Sequence, residues 1–152
     1  KLFPDQKIPV KYNTILNVHF KLPESILSLF RNEVVGMVDS LSQWIFVKNK
    51  HISVTVSDAN KYDNLSANEI ANLAWNEICI YLKKTLDLLE FRVIKEKKAT
   101  YHQSPENNSL INNISNIPKN VSLAGDWTQN ELPCTIEGSI LSGKKAVELL
   151  KI

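Results

Sequence analysis

The sequence of 152 residues predicts a mixed α/β (α+β) fold, and three observations carry this prediction. Short β-type runs dominate the first part of the chain, and an amphipathic helix with an N-terminal capping signal follows them. Towards the C-terminus, a short apolar strand, an acidic turn and a second helix come in succession. We therefore expect an antiparallel sheet covered by one helix, followed by a strand, a turn and a helix.

The expected sheet begins with residues 12–20, which alternate as a half-buried strand does. The alternation puts two sets of side chains on opposite faces: Ile15, Asn17 and His19 on one, and Leu16, Val18 and Phe20 on the other. Three short β-type runs at 34–38, 43–47 and 52–56 are separated by turn residues and predict an antiparallel meander. A histidine in a strand is more often structural than functional, and we expect Trp44 to pack in the core.

Ser66 and Glu69 have the spacing of a capping box and predict a helix that continues to about Thr85. Its apolar residues at helical spacing predict one buried stripe, flanked by Trp75 and Cys79: Ile70, Leu73, Ala74, Ile78, Tyr81 and Leu82. A strand pattern returns over residues 89–99, and the Asn- and Ser-rich stretch 107–120 predicts a surface loop.

The C-terminal segment carries the strongest functional signal. Residues 121–124 predict a buried strand that brings the Asp126 carboxylate to its C-terminal edge, and Pro133 suits the first position of a helix. Apolar residues recur at helical spacing after it: Ile136, Ile140, Gly143, Val147 and Leu150. A helix start beyond the end of a strand favours polar or anionic ligands. Small residues on the same helix allow the close approach of a backbone or a flat ligand such as a large ring system: Gly138, Ser139, Ser142 and Gly143.

The motifs in this segment resemble a known flavin signature. Leu123–Thr128, Leu132-Pro133, Thr135–Gly138 and Ser142-Gly143 are similar to the C-terminal signature of the FAD-dependent amine oxidase and phytoene desaturase superfamily. Within it, they most resemble the squalene-associated FAD-dependent desaturases, also described as hydroxysqualene dehydroxylases. Cys134 stands where that family usually has alanine. Weaker similarities lie upstream: Ile15–His19, Gln43–Phe46, and Lys95–Thr100 with Pro105.

The resemblance implies an FAD cofactor and assigns roles to seven residues: Gly125, Asp126, Trp127, Pro133, Thr135, Ile136 and Gly138. Asp126 would bind the ribityl or pyrophosphate region, and amides near Thr135 and Ile136 would stabilise negative charge on the reduced ring. It also implies that residues 1–98 belong to a substrate-binding domain and residues 99–152 to the C-terminal part of a Rossmann-like FAD-binding domain. In that family the sheet that contains Trp44 forms the wall of the substrate cavity, which His19 would line. One of Lys95, Lys97 and Lys98 would approach the cofactor, unless these side chains are only structural or solvated.

The resemblance further implies an isoprenoid lipid substrate of the squalene type, which is either dehydroxylated or desaturated. The chain has four glycines and no GxGxxG turn, so we expect the N-terminal nucleotide-binding βαβ unit to be missing and the chain alone to be inactive. Its partner would be the missing N-terminal half of the enzyme. The alternatives are a non-catalytic remnant, one half of a split flavoenzyme, or a flavin amine oxidase.

Composition narrows the remaining possibilities. A net charge of +2 with scattered basic residues argues against nucleic-acid binding. Cys79 and Cys134 lack the spacing of a disulfide framework or metal site, so we expect a cytoplasmic protein without a metal. No apolar run has the ~20 residues of a membrane helix, so only peripheral membrane contact is expected. We find no acid, base or nucleophile constellation, as expected where a cofactor carries the chemistry.

Overall fold

A computed structural model describes residues 11–115, 117–128 and 132–150. This part of the chain contains five strands, four α-helices and a 3-10 helix at Ala59–Tyr62. The strands are β1 (Tyr12–Lys21), β2 (Val34–Gly36), β3 (Trp44–Val47), β4 (His51–Val56) and β5 (Phe91–Tyr101). The α-helices are α1 (Glu24–Leu27), α2 (Ala67–Leu82), α3 (Pro105–Asn112) and α4 (Ile136–Leu150).

The chain divides into two compact units. The first, here called the sheet unit, is Asn13–Ala99. The second, here called the turn–helix unit, contains the described residues from Thr100 onwards together with Lys11 and Tyr12. No helix within the described ranges is long and apolar enough to cross a membrane.

The five strands form one sheet in the order β2-β3-β4-β1-β5. β2 pairs with β3, β3 with β4 and β4 with β1, all antiparallel, so the predicted meander is confirmed. At the far edge, the Lys21 N–H donates to the Glu90 carbonyl (2.9 Å), which joins the end of β1 to the residue before β5. The mixed α/β fold with an antiparallel sheet is therefore confirmed, whereas its Rossmann-like part stays a prediction.

One face of the sheet, here called the inner face, carries the core. β1 contributes the side chains that its alternation predicts, and Leu16, Val18 and Phe20 are fully buried. α2 covers this face, and the rings of Phe20 and Trp75 meet at 5.1 Å between centroids. Burial of such side chains from water contributes about 1.5–3 kcal/mol each, so this layer is the main source of stability in the unit.

The outer face of the sheet carries the residues that alternate with the core. Trp44 lies here and is 49% exposed, so the prediction that it packs in the core is wrong. Its strand has only one side chain per two residues to give to the core, and Ile45 takes that place with no exposure. The indole instead lies along β2, where a Cβ on Gly36 would come within 3.2 Å of its Cζ3.

The capping box that begins α2 is confirmed. The Glu69 N–H donates to the Ser66 hydroxyl (3.2 Å), and the Ser66 N–H donates to the Glu69 carboxylate (2.7 Å). The helix ends at Leu82 rather than near Thr85, because Lys83 takes a left-handed conformation (φ 53°).

The buried stripe of α2 is rotated relative to the prediction. Leu73 is 44% exposed, whereas Trp75 is only 3% exposed and donates its indole N–H to the Leu86 carbonyl (2.8 Å). That hydrogen bond lets the large ring enter the core without an unpaired donor. Ile70, Ala74 and Ile78 are buried as predicted.

In the turn–helix unit, the stretch predicted as a loop over 107–120 begins as helix α3 instead. Ser104 caps it by accepting from the Asn107 N–H (3.3 Å), and Pro105 occupies the first turn, where its missing N–H costs nothing. The Asn107 side chain donates to the His102 carbonyl (2.7 Å) and is buried. Local capping thus overrides the low helix propensity of asparagine and serine.

The predicted strand at 121–124 is wrong. The segment has no strand partner within the described residues, and its hydrogen bonds are local: the Val121 N–H donates to the Pro118 carbonyl (2.9 Å). Its side chains are half-buried up to Leu123 and exposed at Ala124. A strand exists only where a neighbouring strand pairs with it, and an apolar run by itself cannot specify that neighbour.

Candidate functional site

The turn that follows residues 121–124 is held in a conformation that requires glycine. Gly125 has φ +146°, and a Cβ there would lie 2.8 Å from the indole Nε1 of Trp127, which folds back over it. The Thr128 N–H (3.1 Å) and hydroxyl (2.8 Å) both donate to the Gly125 carbonyl. These contacts fix the backbone conformation of the turn that contains Asp126.

Helix α4 is fastened to this turn through its small residues. The Gly125 N–H donates to the Ser142 hydroxyl (2.8 Å), which in turn donates to the Ser139 carbonyl (2.7 Å). Gly138, Ser142 and Ala146 follow one another at a spacing of four residues and are the buried residues of α4. Because these side chains are small, the backbone of the turn can approach the helix closely.

The helix that the apolar spacing predicts is confirmed, but its large apolar residues do not form its buried face. Ile136 (83% exposed), Ile140 (55%) and Val147 (61%) point away from the buried face. Hydrophobic periodicity finds the largest side chains, whereas close packing against a backbone selects the smallest.

Thr135, rather than Pro133, determines where α4 starts. The Thr135 hydroxyl accepts from the Gly138 N–H (3.1 Å), and its carbonyl accepts from the Ser139 N–H (3.0 Å), which makes it the N-cap. The exposed Pro133 lies two residues before the cap, so the prediction that it occupies the first helical position is wrong. As the first two residues of the helix, Ile136 and Glu137 have amides with no intrahelical acceptor.

Asp126 lies near the approach to α4. Burial and then the Asp126 carboxylate raise the pKa of the Cys134 thiol to about 11. Burial also raises the pKa of Tyr101, with Asp126 adding to the rise. The Cys134 thiol meets the Tyr101 carbonyl at 3.8 Å. The structure thus brings together three elements of the turn–helix unit: the end of β5, the Gly125 turn and the start of α4.

An apolar cavity of about 320 Å³ lies elsewhere in the turn–helix unit. Its walls include Ile111, Leu123, Trp127, Ala146 and Leu149, so it opens beside the later turns of α4. Of the seven residues assigned to the cofactor from sequence, only Trp127 lines it. Its volume is near the lower limit of small-molecule pockets. The cavity and the predicted polar site are therefore different places.

The polar site has the chemistry that a flavin requires. Asp126 offers a carboxylate, which accepts hydrogen bonds from hydroxyl groups, and the start of α4 offers amide donors and positive partial charge for an electron-rich ring edge. The exposed side chain of Ile136 adds an apolar surface next to these amides. Gly125 allows the turn, and Gly138 is buried on the same face of α4 as Ser142. The residues present thus fit the group, except that the exposed Pro133 lies before the cap and has no backbone N–H to donate.

Lys95, one of the three lysines predicted near the cofactor, has a structural role instead. The Lys95 ammonium donates to the carbonyls of Tyr62 (3.4 Å), Asp63 (3.1 Å) and Leu65. All of its donors are thus used within the sheet unit, which is a structural role. Lys97 and Lys98 are exposed. Within the described ranges, no cluster of His, Cys, Asp and Glu can hold a metal ion.

A second polar arrangement lies on the outer face of the sheet. The His19 Nδ1 and the Ser53 hydroxyl are 2.8 Å apart, and the Thr55 hydroxyl donates to the Asn17 side chain (2.8 Å). Each pair lies directly across β1 and β4. The sequence pattern points to His19 but not to Ser53 and Thr55. Ser53 and Thr55 can be identified from the strand register, which places them opposite His19 and Asn17. The alternating patterns of β1 and β4 specify this register only once the two strands are known to pair.

Comparison with known proteins identifies the family. The model of the family described as flavin containing amine oxidoreductase matches residues 4–151. Hydroxysqualene dehydroxylases from Sinorhizobium fredii, Rhodopseudomonas palustris and Zymomonas mobilis are 31%, 32% and 34% identical over 97%, 98% and 97% of this chain. The chain spans about a third of the length of these relatives, 35% in each case. Because the family model covers nearly the whole sequence, the chain belongs to the flavin containing amine oxidoreductase family.

Proposed function

We propose that this chain forms part of an FAD-dependent oxidoreductase that acts on a squalene-type isoprenoid, by removing the hydroxyl of a hydroxysqualene or by desaturation. The observation that carries the proposal is the Gly125 turn, which is fastened to α4 by Ser142 and brings a carboxylate close to the start of that helix. The names of the three relatives support the substrate class.

In this proposal the turn–helix unit contacts the cofactor. A bound flavin supplies the two-electron chemistry. The Asp126 carboxylate accepts hydrogen bonds from ribityl hydroxyls, and the amides of Ile136 and Glu137 stabilise negative charge at the ring edge. Thr135 holds these two amides in place by capping the helix.

The sheet unit would then bind the substrate. Residues 1–98 would be the substrate domain and residues 99–152 part of the FAD-binding domain, although Lys11 and Tyr12 lie in the turn–helix unit. A nucleotide-binding part, which we expect outside the matched third of the relatives, would be the partner that completes the enzyme. Peripheral contact with a membrane would give access to the lipid substrate.

The test measures flavin retention in a complex of this chain with the unmatched part of the Zymomonas mobilis relative. We expect Asp126→Ala to weaken flavin binding by about 1.5–3 kcal/mol, the range for a hydrogen bond to a charged group. Flavin fluorescence after gel filtration measures this without any turnover. Lys144→Leu, at an exposed position on α4, is the matched control and should leave retention unchanged.

Three outcomes separate the alternatives. Equal flavin binding by the wild type and Asp126→Ala would show that Asp126 does not bind the flavin. A complex that retains no flavin at all would favour a non-catalytic remnant. If flavin is retained and the complex oxidises a primary amine but leaves hydroxysqualene unchanged, the amine oxidase alternative is correct.

A further inference from the structure

The His19–Ser53 pair differs from its neighbour in what it leaves for a ligand. In the Asn17–Thr55 pair, the hydroxyl has already donated its proton to the amide oxygen. In the His19–Ser53 pair, the hydrogen bond uses only Nδ1 of the ring. The second nitrogen, Nε2, has no partner within the described residues. Half-burial of His19 keeps this nitrogen at the surface of the sheet rather than inside the core.

The pair offers one donor and one acceptor in either tautomer. Burial, His51 and Arg92 lower the pKa of His19 below its ordinary 6.5, so the ring is neutral at physiological pH. If the serine donates to Nδ1, then Nε2–H is a donor and the serine oxygen an acceptor. If Nδ1–H donates, then Nε2 is an acceptor and the serine O–H a donor. An alcohol needs both functions, because its hydroxyl donates once and accepts.

Apolar side chains lie to one side of this polar pair on the same face, on β3 and β2. Phe46 lies directly across from Ser53, and Val34 lies across from Phe46, so one row runs from an aliphatic to an aromatic to a polar group. In the next row, Trp44 lies across from Thr55, and on the outer face of β5 Ile94 is 42% exposed. Along β1 and β4 the neighbours of the pair on this face are polar, Asn17 and Thr55 on one side and Lys21 and His51 on the other. The apolar side chains of β2 and β3 form a strip beside this polar row.

Electrostatics on this face disfavour a cationic ligand. His51 meets the His19 ring edge to face at 6.3 Å between centroids, and Arg92 acts on the same ring. Burial lowers the pKa of His19, and the always protonated Arg92 adds to this effect, so an added positive charge beside the ring is unfavourable. An alcohol carries no charge and avoids this cost. The same surface thus discriminates between an isoprenoid alcohol and an amine of similar shape.

We infer that the outer face of the sheet binds an isoprenoid alcohol, with the His19–Ser53 pair holding its hydroxyl and Trp44, Phe46 and Val34 contacting its hydrocarbon chain. This inference rests on the proposed function and names the residues that recognise the substrate. His19 and Ser53 are binding residues in it. A hydrocarbon without the hydroxyl would contact the same apolar side chains but leave the pair without a partner.

The test uses the full chain and three probes: geraniol, an isoprenoid alcohol, myrcene, a related hydrocarbon, and geranylamine. Binding is followed by NMR through the imidazole nitrogens of His19 and the indole N–H of Trp44. We expect geraniol to shift both signals, myrcene to shift only the indole, and geranylamine to bind more weakly than geraniol.

Two variants isolate the polar pair. His19→Phe should weaken geraniol binding roughly three- to tenfold, the effect of one net hydrogen bond, and leave myrcene binding unchanged. Ser53→Ala keeps the imidazole and should give a smaller loss. His102→Phe, an exposed histidine of the turn–helix unit, is the matched control, and unchanged urea midpoints establish that the variants fold.

Several results would overturn the inference. Equal affinities of wild type and His19→Phe for geraniol would exclude the pair from hydroxyl binding, while the flavin test with Asp126→Ala could still succeed. Tighter binding of geranylamine would identify an amine site instead. Binding of none of the three probes would show that this face does not recognise isoprenoids. The flavin-retention experiment would then still test the proposed function independently.

Discussion

The sheet unit and the turn–helix unit use large apolar side chains in opposite ways. In the sheet unit, side chains such as Ile45, Ile52 and Ile78 are fully buried between the sheet and α2. In α4, Ile136, Ile140 and other large apolar residues are exposed, and small residues take the buried positions. The first arrangement derives stability from area removed from water, and the second places a backbone close to a helix. The difference indicates that the sheet unit is built for stability and the turn–helix unit for close contact.

The largest expected effect comes from deleting the same side chain in each unit. Ile45→Ala should lower the free energy of unfolding by about 2–5 kcal/mol, because it leaves a cavity in the core. Ile140→Ala should change it by less than about 0.5 kcal/mol, since this side chain is 55% exposed and alanine favours helix. Urea unfolding followed by circular dichroism measures both. A large loss in Ile140→Ala would mean that α4 is covered in solution and would break the comparison.

A smaller effect on the free energy of unfolding distinguishes the half-buried carboxylate of Glu77 from the exposed carboxylate of Glu90. Glu77 accepts from the N–H groups of Leu41 (2.9 Å) and Ser42 (2.7 Å). Burial raises the pKa of Glu77, but the Ser40 side chain and these backbone hydrogen bonds outweigh it, so the pKa lies below its ordinary 4.5. The stability that Glu77 contributes is thus present above pH 4.5 and lost as the pH falls through the lowered pKa.

Glu77→Gln should therefore cost about 2 kcal/mol at neutral pH, and the difference from wild type should shrink in acid. Unfolding in urea across the acid range measures this. Glu90→Gln is the control, because its salt bridge with Lys21 (2.8 Å) joins side chains that are 71% and 69% exposed and contributes little. A difference between wild type and Glu77→Gln that stays constant with pH would contradict the role of the charge.

The smallest expected effect concerns reactivity rather than stability. With a pKa of about 11 instead of its ordinary 9.0, the Cys134 thiol should react with iodoacetamide about tenfold more slowly than an ordinary thiol, since lower thiolate content outweighs higher nucleophilicity. Asp126→Asn should accelerate the reaction by lowering this pKa. A Cys79→Ser background leaves Cys134 as the reporting thiol. No acceleration would show that Asp126 is too far from Cys134 to act on it, and would weaken the candidate site.

Predictions were correct where the interacting residues lie close together in the sequence, and wrong where they lie far apart. The alternation of β1, the meander and the Ser66 capping box were predicted correctly because their determinants lie within a few residues of one another. The predicted strand at 121–124 was wrong because a strand depends on a neighbour that an apolar run does not identify. The predicted position of Trp44 was wrong, and the buried face of α4 was not predicted, for a related reason: periodicity shows which residues share a face, but not which face is covered.

The candidate site was predictable only in outline. The Gly125 and Asp126 turn beside a helix was expected, and the structure contains that turn beside α4. The Thr135 cap and the hydrogen bond from Gly125 to Ser142 were not predicted, because each requires a geometry in which the turn already lies on the helix. Whether the seven assigned residues bind flavin stays a prediction, to be decided by flavin retention.

The three carbonyl oxygens around Lys95 determine which cation can occupy their centre. The carbonyls of Tyr62, Asp63 and Leu65 accept hydrogen bonds from one nitrogen atom. An ammonium group has three donors on a single tetrahedral atom, whereas a guanidinium spreads its donors over a flat fork of three nitrogens. Arginine at this position would therefore keep the positive charge but could not donate to all three carbonyls from one atom. At this position the identity of the lysine, and not its sign alone, joins β5 to the backbone that leads into α2.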